Sequence, residues 1–253
     1  MSSYYFDDLL SEPGFMHGTS SRQGMSDAVN SDPRLIKNEQ AQKTNEDHHL
    51  RFLSESGIEG QSLKVLKQIH SDRVFVVESD PLSEGLEGDA LITATPGRPI
   101  GVYTADCVPV ILYDPQTHTT GVVHAGRAGT EKGIVPAAIK KMIECFGVKT
   151  ATLKVALGPS IGPCCYEVKE DCLEAFKKNF PGWRSWVREH TEGKVLLDLW
   201  KANREQALEE GVSDNRIFLS GECTACHLDR WYSYRKEGQN AGRMLTVAML
   251  CRR

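Results

Sequence analysis

Residues 100–126 read IGVYTADCVPVILYDPQTHTTGVVHAG, three apolar runs separated by turns. IGVYTA (100–105), VPVILYD (108–114) and TTGVVHA (119–125) are rich in Val, Ile, Thr and Tyr, and Asp, Pro or Gly bounds each, which predicts β-strands. The same texture extends backward through ALITAT (90–95), VFVVES (74–79) and LKVLKQ (63–68). This is the sheet-rich centre of the chain.

Beyond it the period lengthens. Gly133 to Phe146 places apolar residues at helical spacing, with Lys140 and Lys141 opposite them and Gly147 where a helix would stop. LKVAL (153–157) predicts a strand that enters the Gly- and Pro-rich turn Gly158 to Pro163. A helix over Lys169 to Asn179 then fits the spacing of Cys172, Leu173 and Phe176. VLLDL (195–199) and LWKANREQALEEG (199–211) repeat the strand and helix order, ended by Gly211; IFLSG (217–221) and MLTVAML (244–250) supply the last strands.

Before the centre, residues 1–60 carry few apolar positions at regular spacing, and Thr19 to Asn30 predicts a loose arm or loop. Asp32 and Pro33 are a suitable N-cap and first helical residue for a helix running toward Leu53. With no repeat, low-complexity tract or linker, residues 1–253 read as one compact domain whose first 60 residues are variable and partly irregular.

Composition narrows the function. Hydrophobic residues make up 40% of the 253 and charged residues 25%, a globular balance. A net charge of -4 with interspersed signs argues against nucleic acid as a partner. The longest apolar runs are too short to span a bilayer and MSSYYFDDLL is no export signal, so the expectation is a cytoplasmic protein that does not engage membranes. Eight cysteines in such a chain read as reduced thiols.

Three segments place a reactive side chain beside a turn at a strand end: KQIHSDR with His70, YTADCVPV with Cys107 and VVHAGRAG with His124. Two imidazoles and one thiolate suit zinc, and three protein ligands leave a fourth position open for water or substrate. The three are far apart in the chain. Spacing alone therefore favours a surface His70, a buried Cys107 and a core His124.

Longer words decide further. KQIHSDRV (67–74), GDALIT (88–93), PGRPIGVYTADCVPVIL (96–112), GVVHAG (121–126), GPSIGPCCYEV (158–168), LDLWKANREQ (197–206), Cys223-Thr224 and WYSYRKEGQNAGR (231–243) closely resemble the laccase-domain purine nucleoside phosphorylase family. Its YfiH-like members are also labelled polyphenol oxidases and peptidoglycan editing factors. The resemblance covers roughly residues 60 to 250. It implies an α+β fold, a layered α/β/β/α sandwich with mixed sheets related to a toxin deamidase fold. It also implies that His70, Cys107 and His124 bind a catalytic zinc, with copper as a substitute.

The implied activities are phosphorolysis of adenosine, inosine, guanosine or methylthioadenosine and deamination of adenosine, with purine nucleosides and phosphate as the small-molecule partners. Where the family usually has Trp-Arg-Gly-Thr after HAG, this chain has Arg127-Ala128-Gly129-Thr130, which shifts the guanidinium by one position. Gln23-Gly24-Met25-Ser26 likewise replaces the family's Gly-Gly-Val-Ser. These departures bear on substrate contacts, for which Arg127, Arg235 and Arg243 are the candidates, more than on metal binding.

Other readings stay open. Cys107 activated by His124 would serve an amidohydrolase acting on a muramyl precursor with a wrong first amino acid. A non-catalytic interaction protein is a third reading, disfavoured by the intact ligand set. Multicopper oxidation needs many histidines, commonly in HxH pairs; eight His and no HxH leave at most a single copper site, so a copper-dependent polyphenol oxidase ranks low. Cys164 and Cys165 with Cys223 and Cys226 could on paper form a second, structural zinc site, but CC is a poor ligand pair and only one proper CxxC is present, so buried inert thiols are the favoured account. Packing likewise accounts for Cys145, Cys172 and Cys251. GPSIG (158–162) lacks the lysine of a phosphate-binding loop and reads as a rigid turn.

Overall fold

A computed structural model describes residues 3–4, 12–22, 47, 49–58, 63–78, 85–191 and 193–252. A six-stranded sheet runs in the order β12 (Ile217–Leu219), β8 (Lys154–Leu157), β6 (Val108–Asp114), β7 (Thr119–Ala125), β4 (Ala90–Thr93), β3 (Val74–Val76). The outer pairs β12/β8 and β3/β4 are parallel and the inner pairs antiparallel, so the sheet is mixed. β6 and β7 pair from Val108↔Ala125 to Asp114↔Thr119. Their connection is fastened by the Asp114 carboxylate, which accepts from the Thr117 hydroxyl at 2.6 Å and amide at 3.1 Å.

β6 is buried on both faces, which is why its sequence reads as an unbroken apolar run. Val108, Val110 and Leu112 join the core formed with α2 (Ile134–Phe146) and α4 (Leu199–Glu209); Ile111 and Tyr113, on alternate positions, face the other way. Glycines in left-handed conformation bound α2 at both ends, Gly133 (φ 78°) and Gly147 (φ 67°). Asp198 caps α4, its carboxylate accepting from the Lys201 amide at 2.8 Å.

The face carrying Ile111 and Tyr113 packs on a second, antiparallel sheet in the order β1 (Ser3–Tyr4), β2 (Phe15–Ser20), β13 (Met244–Leu250), β5 (Ile100–Thr104). Phe15, Ile100, Val102, Ala248 and Leu250 supply its side of that interface. The opposite face of β13, Leu245 and Val247, lies under Phe52 and Leu53 of a helical stretch, residues 49–55. Helix, sheet, sheet and helix are thus stacked in the expected mixed α+β sandwich. A small antiparallel sheet, β10 (Val187–Glu189), β11 (Lys194–Leu197) and β9 (Glu167–Lys169), flanks it. Among the described residues, no helix is long and apolar enough to cross a membrane.

Several expectations are corrected. LKVLKQ makes only isolated bridges at Lys64 and Lys67, because the Gln68 side chain takes the place of backbone: its amide donates to the Tyr103 carbonyl and accepts from the Tyr103 amide, both at 2.8 Å. Lys169 to Asn179 is not one helix; a 3₁₀ turn over Glu170–Leu173 precedes α3 (Glu174–Asn179). Thr19 and Ser20, assigned to a loose arm, end the buried strand β2. Their polarity is matched there, Thr19 to the Thr246 hydroxyl at 2.9 Å and Ser20 to the Leu245 amide at 2.9 Å. Arg127, which follows the turn at His124, begins α1 (Arg127–Lys132). Cys145 is exposed rather than packed. The start of the helix predicted from Asp32 lies outside the described residues.

Candidate metal centre

The path of the chain at Cys107 explains the site. β5 ends at Thr104, and Asp106 turns the backbone into the left-handed region (φ 82°), so that Cys107 projects before β6 begins. Asp106 holds that conformation with three bonds. Its carboxylate accepts from the Thr224 hydroxyl at 2.6 Å and the Arg235 amide at 2.5 Å, and its carbonyl accepts from the Ile161 amide at 2.9 Å. His124 stands near the end of β7, opposite Pro109 of β6, which brings it beside Cys107.

His70 arrives from an irregular segment, also left-handed (φ 57°). Asp89, fully buried just before β4, fixes it by accepting from the amides of Ile69 at 3.3 Å, His70 at 3.0 Å and Ser71 at 2.6 Å and from the Ser71 hydroxyl at 2.7 Å. Lys132 Nζ donates to the His70 carbonyl at 3.0 Å. The same Asp89 accepts the Nδ1 hydrogen of buried His124 at 2.8 Å. One carboxylate therefore sets both imidazoles, and by engaging His124 at Nδ1 it leaves Nε2 as the nitrogen available to a metal.

The ligand atoms of His70, Cys107 and His124 all lie within 4.8 Å of one another, with Cys107 Sγ 3.8 Å from His70 Nε2. The imidazoles meet edge to face, centroids 4.7 Å apart. Gly126 permits this approach, since a Cβ there would sit 2.8 Å from both Cys107 Sγ and His70 Cδ2. All three side chains line a cavity of about 430 Å³ together with Gln68, Tyr103, Tyr234 and Arg243, a volume in the usual range for small-molecule sites.

Electrostatics follow from these contacts. Burial alone would raise the Asp89 carboxyl, but the bonds from His124 and Ser71 outweigh it and hold the group well below the usual carboxylate range. Packing likewise pushes the Cys107 thiol up, yet His124 and His70 bring it down from 9.0 to about 6. Burial opposes the charged form of His124, whereas Asp89 and Cys107 favour it and raise the group to about 9. Without a metal, these shifts all favour a thiolate beside an imidazolium and a carboxylate.

The remaining candidates divide. Arg243 lines the cavity, its guanidinium donating to the Ala241 and Gly242 carbonyls at 2.7 and 2.9 Å. Arg235, beside the lining Tyr234, stacks over Tyr166 and donates to the Glu167 carbonyl at 2.6 Å. Arg127 is held by Glu131 one helical turn on and by the Cys172 carbonyl, and it does not line the cavity. Sequence reasoning missed Asp89, Asp106 and Gln68. Their words, GDALIT, ADC and KQIH, were noted for the ligands and strands they contain. A second group also converges: Cys164, Cys165, Cys223 and Cys226, of which only Cys223 is buried, so inert buried thiols do not describe it.

Two imidazoles and a thiol converging in the cavity of a layered α+β sandwich are the features of a laccase-like domain. The chain belongs to the family described as multi-copper polyphenol oxidoreductase laccase, whose model matches residues 16–251. Among similar proteins, a purine nucleoside phosphorylase of Bacteroides thetaiotaomicron is 39% identical over 71% of this chain and 67% of its own length. "Adenosine deaminase RL5", from an unknown prokaryotic organism, is 37% identical over 79% of each. Among solved structures, the Neisseria meningitidis protein NMB0706 superimposes with a TM-score of 0.83 at 25% identity, covering 100% of both chains.

Proposed function

We propose that this chain is a zinc-dependent enzyme of purine nucleosides. It cleaves adenosine, inosine, guanosine or methylthioadenosine with phosphate and deaminates adenosine to inosine, and His70, Cys107 and His124 are its zinc ligands. The convergence of those three donors on one cavity carries the reading. Zinc bonds of about 2.0–2.1 Å to nitrogen and 2.3 Å to sulfur imply a tetrahedral N···S separation of about 3.6 Å, close to the 3.8 Å between His70 Nε2 and Cys107 Sγ. The substrate class rests on the names of the relatives. Residues 1–253 form, on this reading, a single laccase-like domain.

Zinc held by His70, Cys107 and His124 would supply Lewis acidity to the cavity. The protein does the rest. Asp89 keeps His124 in the tautomer that ligates through Nε2 and holds the 69–71 backbone so that His70 faces it. Tyr103 and Tyr234 give the cavity aromatic faces suited to a purine ring. Arg243 is the first candidate for phosphate and Arg235 the second. Arg127, engaged by Glu131, takes no part. Copper in the same three-ligand site accounts for any polyphenol oxidation; a multicopper cluster finds no support, because among the described residues the only other group of metal-ligating side chains has no histidine.

One observation favours a second reading. Cys107, His124 and Asp89 follow the order of nucleophile, base and orienting carboxylate, and the thiol is depressed to about 6, as an amidohydrolase acting on a peptidoglycan precursor would require. His70 has no place in that scheme. A chromatographic assay of adenosine with zinc-loaded protein, with and without phosphate, separates the readings. Adenine formed only with phosphate, or inosine formed without it, should vanish in both Cys107→Ala and His70→Ala. Full activity in His70→Ala would remove the metal reading, and no turnover by the folded wild type would favour the amidohydrolase.

A further inference from the structure

Cys164 and Cys165 lie in the turn that follows β8, and Cys223 and Cys226 in the turn that follows β12. These strands are parallel neighbours, so both turns leave the same edge of the sheet. The pairing continues past the strands through a bridge between Ser160 and Cys223, with the Ser160 amide on the Glu222 carbonyl and the Thr224 amide on the Ser160 carbonyl, each at 3.1 Å. Four thiols are thereby brought within 4.8 Å of one another. Cys226 Sγ stands 3.6 Å from Cys164 Sγ and 3.4 Å from Cys165 Sγ.

Those separations exclude a formed disulfide, whose sulfurs sit about 2.05 Å apart. They fall a few tenths of an ångström short of the spacing of four sulfurs around one ion, since a metal–sulfur bond of about 2.3 Å puts tetrahedral sulfurs about 3.8 Å apart. We propose that Cys164, Cys165, Cys223 and Cys226 hold a structural zinc ion, separate from the three-ligand site. Four protein ligands close the coordination shell, which excludes a substrate position and makes the ion a staple.

The surroundings are those of a thiolate site. The Gly162 amide donates to Cys223 Sγ at 3.2 Å, and the amides of Cys226 and His227 close the CxxC turn on the Cys223 carbonyl. Ile161 and Ala225 form an apolar floor, and Trp200 packs against Gly162, where a Cβ would meet its ring at 2.7 Å. The two turns that the ion would tie together are also the two that grip Asp106, through the Ile161 amide and the Thr224 hydroxyl, one residue before Cys107. The staple fixes the ground on which the reactive thiol stands.

The test uses the full chain carrying both His70→Ala and Cys107→Ala, purified with a reductant. Plasma mass spectrometry should find about one zinc per chain, and cobalt substitution should give the intense visible bands of a tetrahedral tetrathiolate. Adding Cys226→Ser should abolish both. Metal-free protein from the double variant, or a wild-type thiol titration and peptide map showing these four cysteines in disulfides, would overturn the proposal. Either result leaves the nucleoside assay unaffected, so the two readings fail separately.

Discussion

At the scale of single residues, Asp89 bears the greatest weight, since its two oxygens orient both imidazoles and the segment between Ile69 and Ser71. Asp89→Ala should lower zinc affinity by about 10–100-fold in competition with a chromogenic chelator. The metal-free protein gives a second readout. With its thiol lowered from 9.0 to about 6, Cys107 should alkylate at a near-constant rate from pH 9 to pH 7 and lose reactivity as pH falls through about 6. In Asp89→Ala the midpoint should move upward, because His124 loses the partner that favours its charged form. An unmoved midpoint would assign the thiol's acidity to His70 instead. The three ligand candidates were legible as residues in turns at strand ends. Asp89 was not, because an aspartate at the start of a strand carries no mark of the five backbone and side-chain donors it will collect.

At the scale of elements, strands buried on both faces were the most legible, since β6, β7 and β13 present continuous apolar runs and keep the predicted bounds. The helix α2 was read equally well from its period and its terminal glycines. Elements stabilised by side chains standing in for backbone escaped: Gln68 replaces a strand partner, and Thr19 and Ser20 find theirs on a strand at the far end of the chain. The junction of β7 with α1 offers a test. Gly126 has an ordinary extended backbone, φ -72° and ψ 172°, which alanine tolerates, so the strain of Gly126→Ala falls first on Cys107 Sγ and the His70 ring. It should reduce zinc affinity at least tenfold while costing about 1–3 kcal/mol or less in urea unfolding. A full loss of stability with metal binding intact would contradict the geometry.

At the scale of the molecule, the layer order was legible only through resemblance, because no local pattern says which strands share a sheet. The Cys164, Cys165, Cys223 and Cys226 group could be assembled from its CC and CxxC words but ranked low, because its two halves are joined only by the parallel pairing of β8 with β12. The two sheets also differ in how far their partners are separated. The six-stranded sheet is complete by Leu219, whereas β2 and β5 both pair with β13, and Thr19 meets Thr246 across 227 positions. Truncation before Met244 should therefore leave the protein aggregated, with little of its chain in the supernatant after centrifugation; a soluble, zinc-binding fragment would refute the role given to β13. The same arrangement sets a timetable for synthesis. As the chain leaves the ribosome, β2 and β5 emerge well before β13 and wait with bare edges for it, so a chaperone that shields those edges would have to stay until after the larger sheet has all its strands.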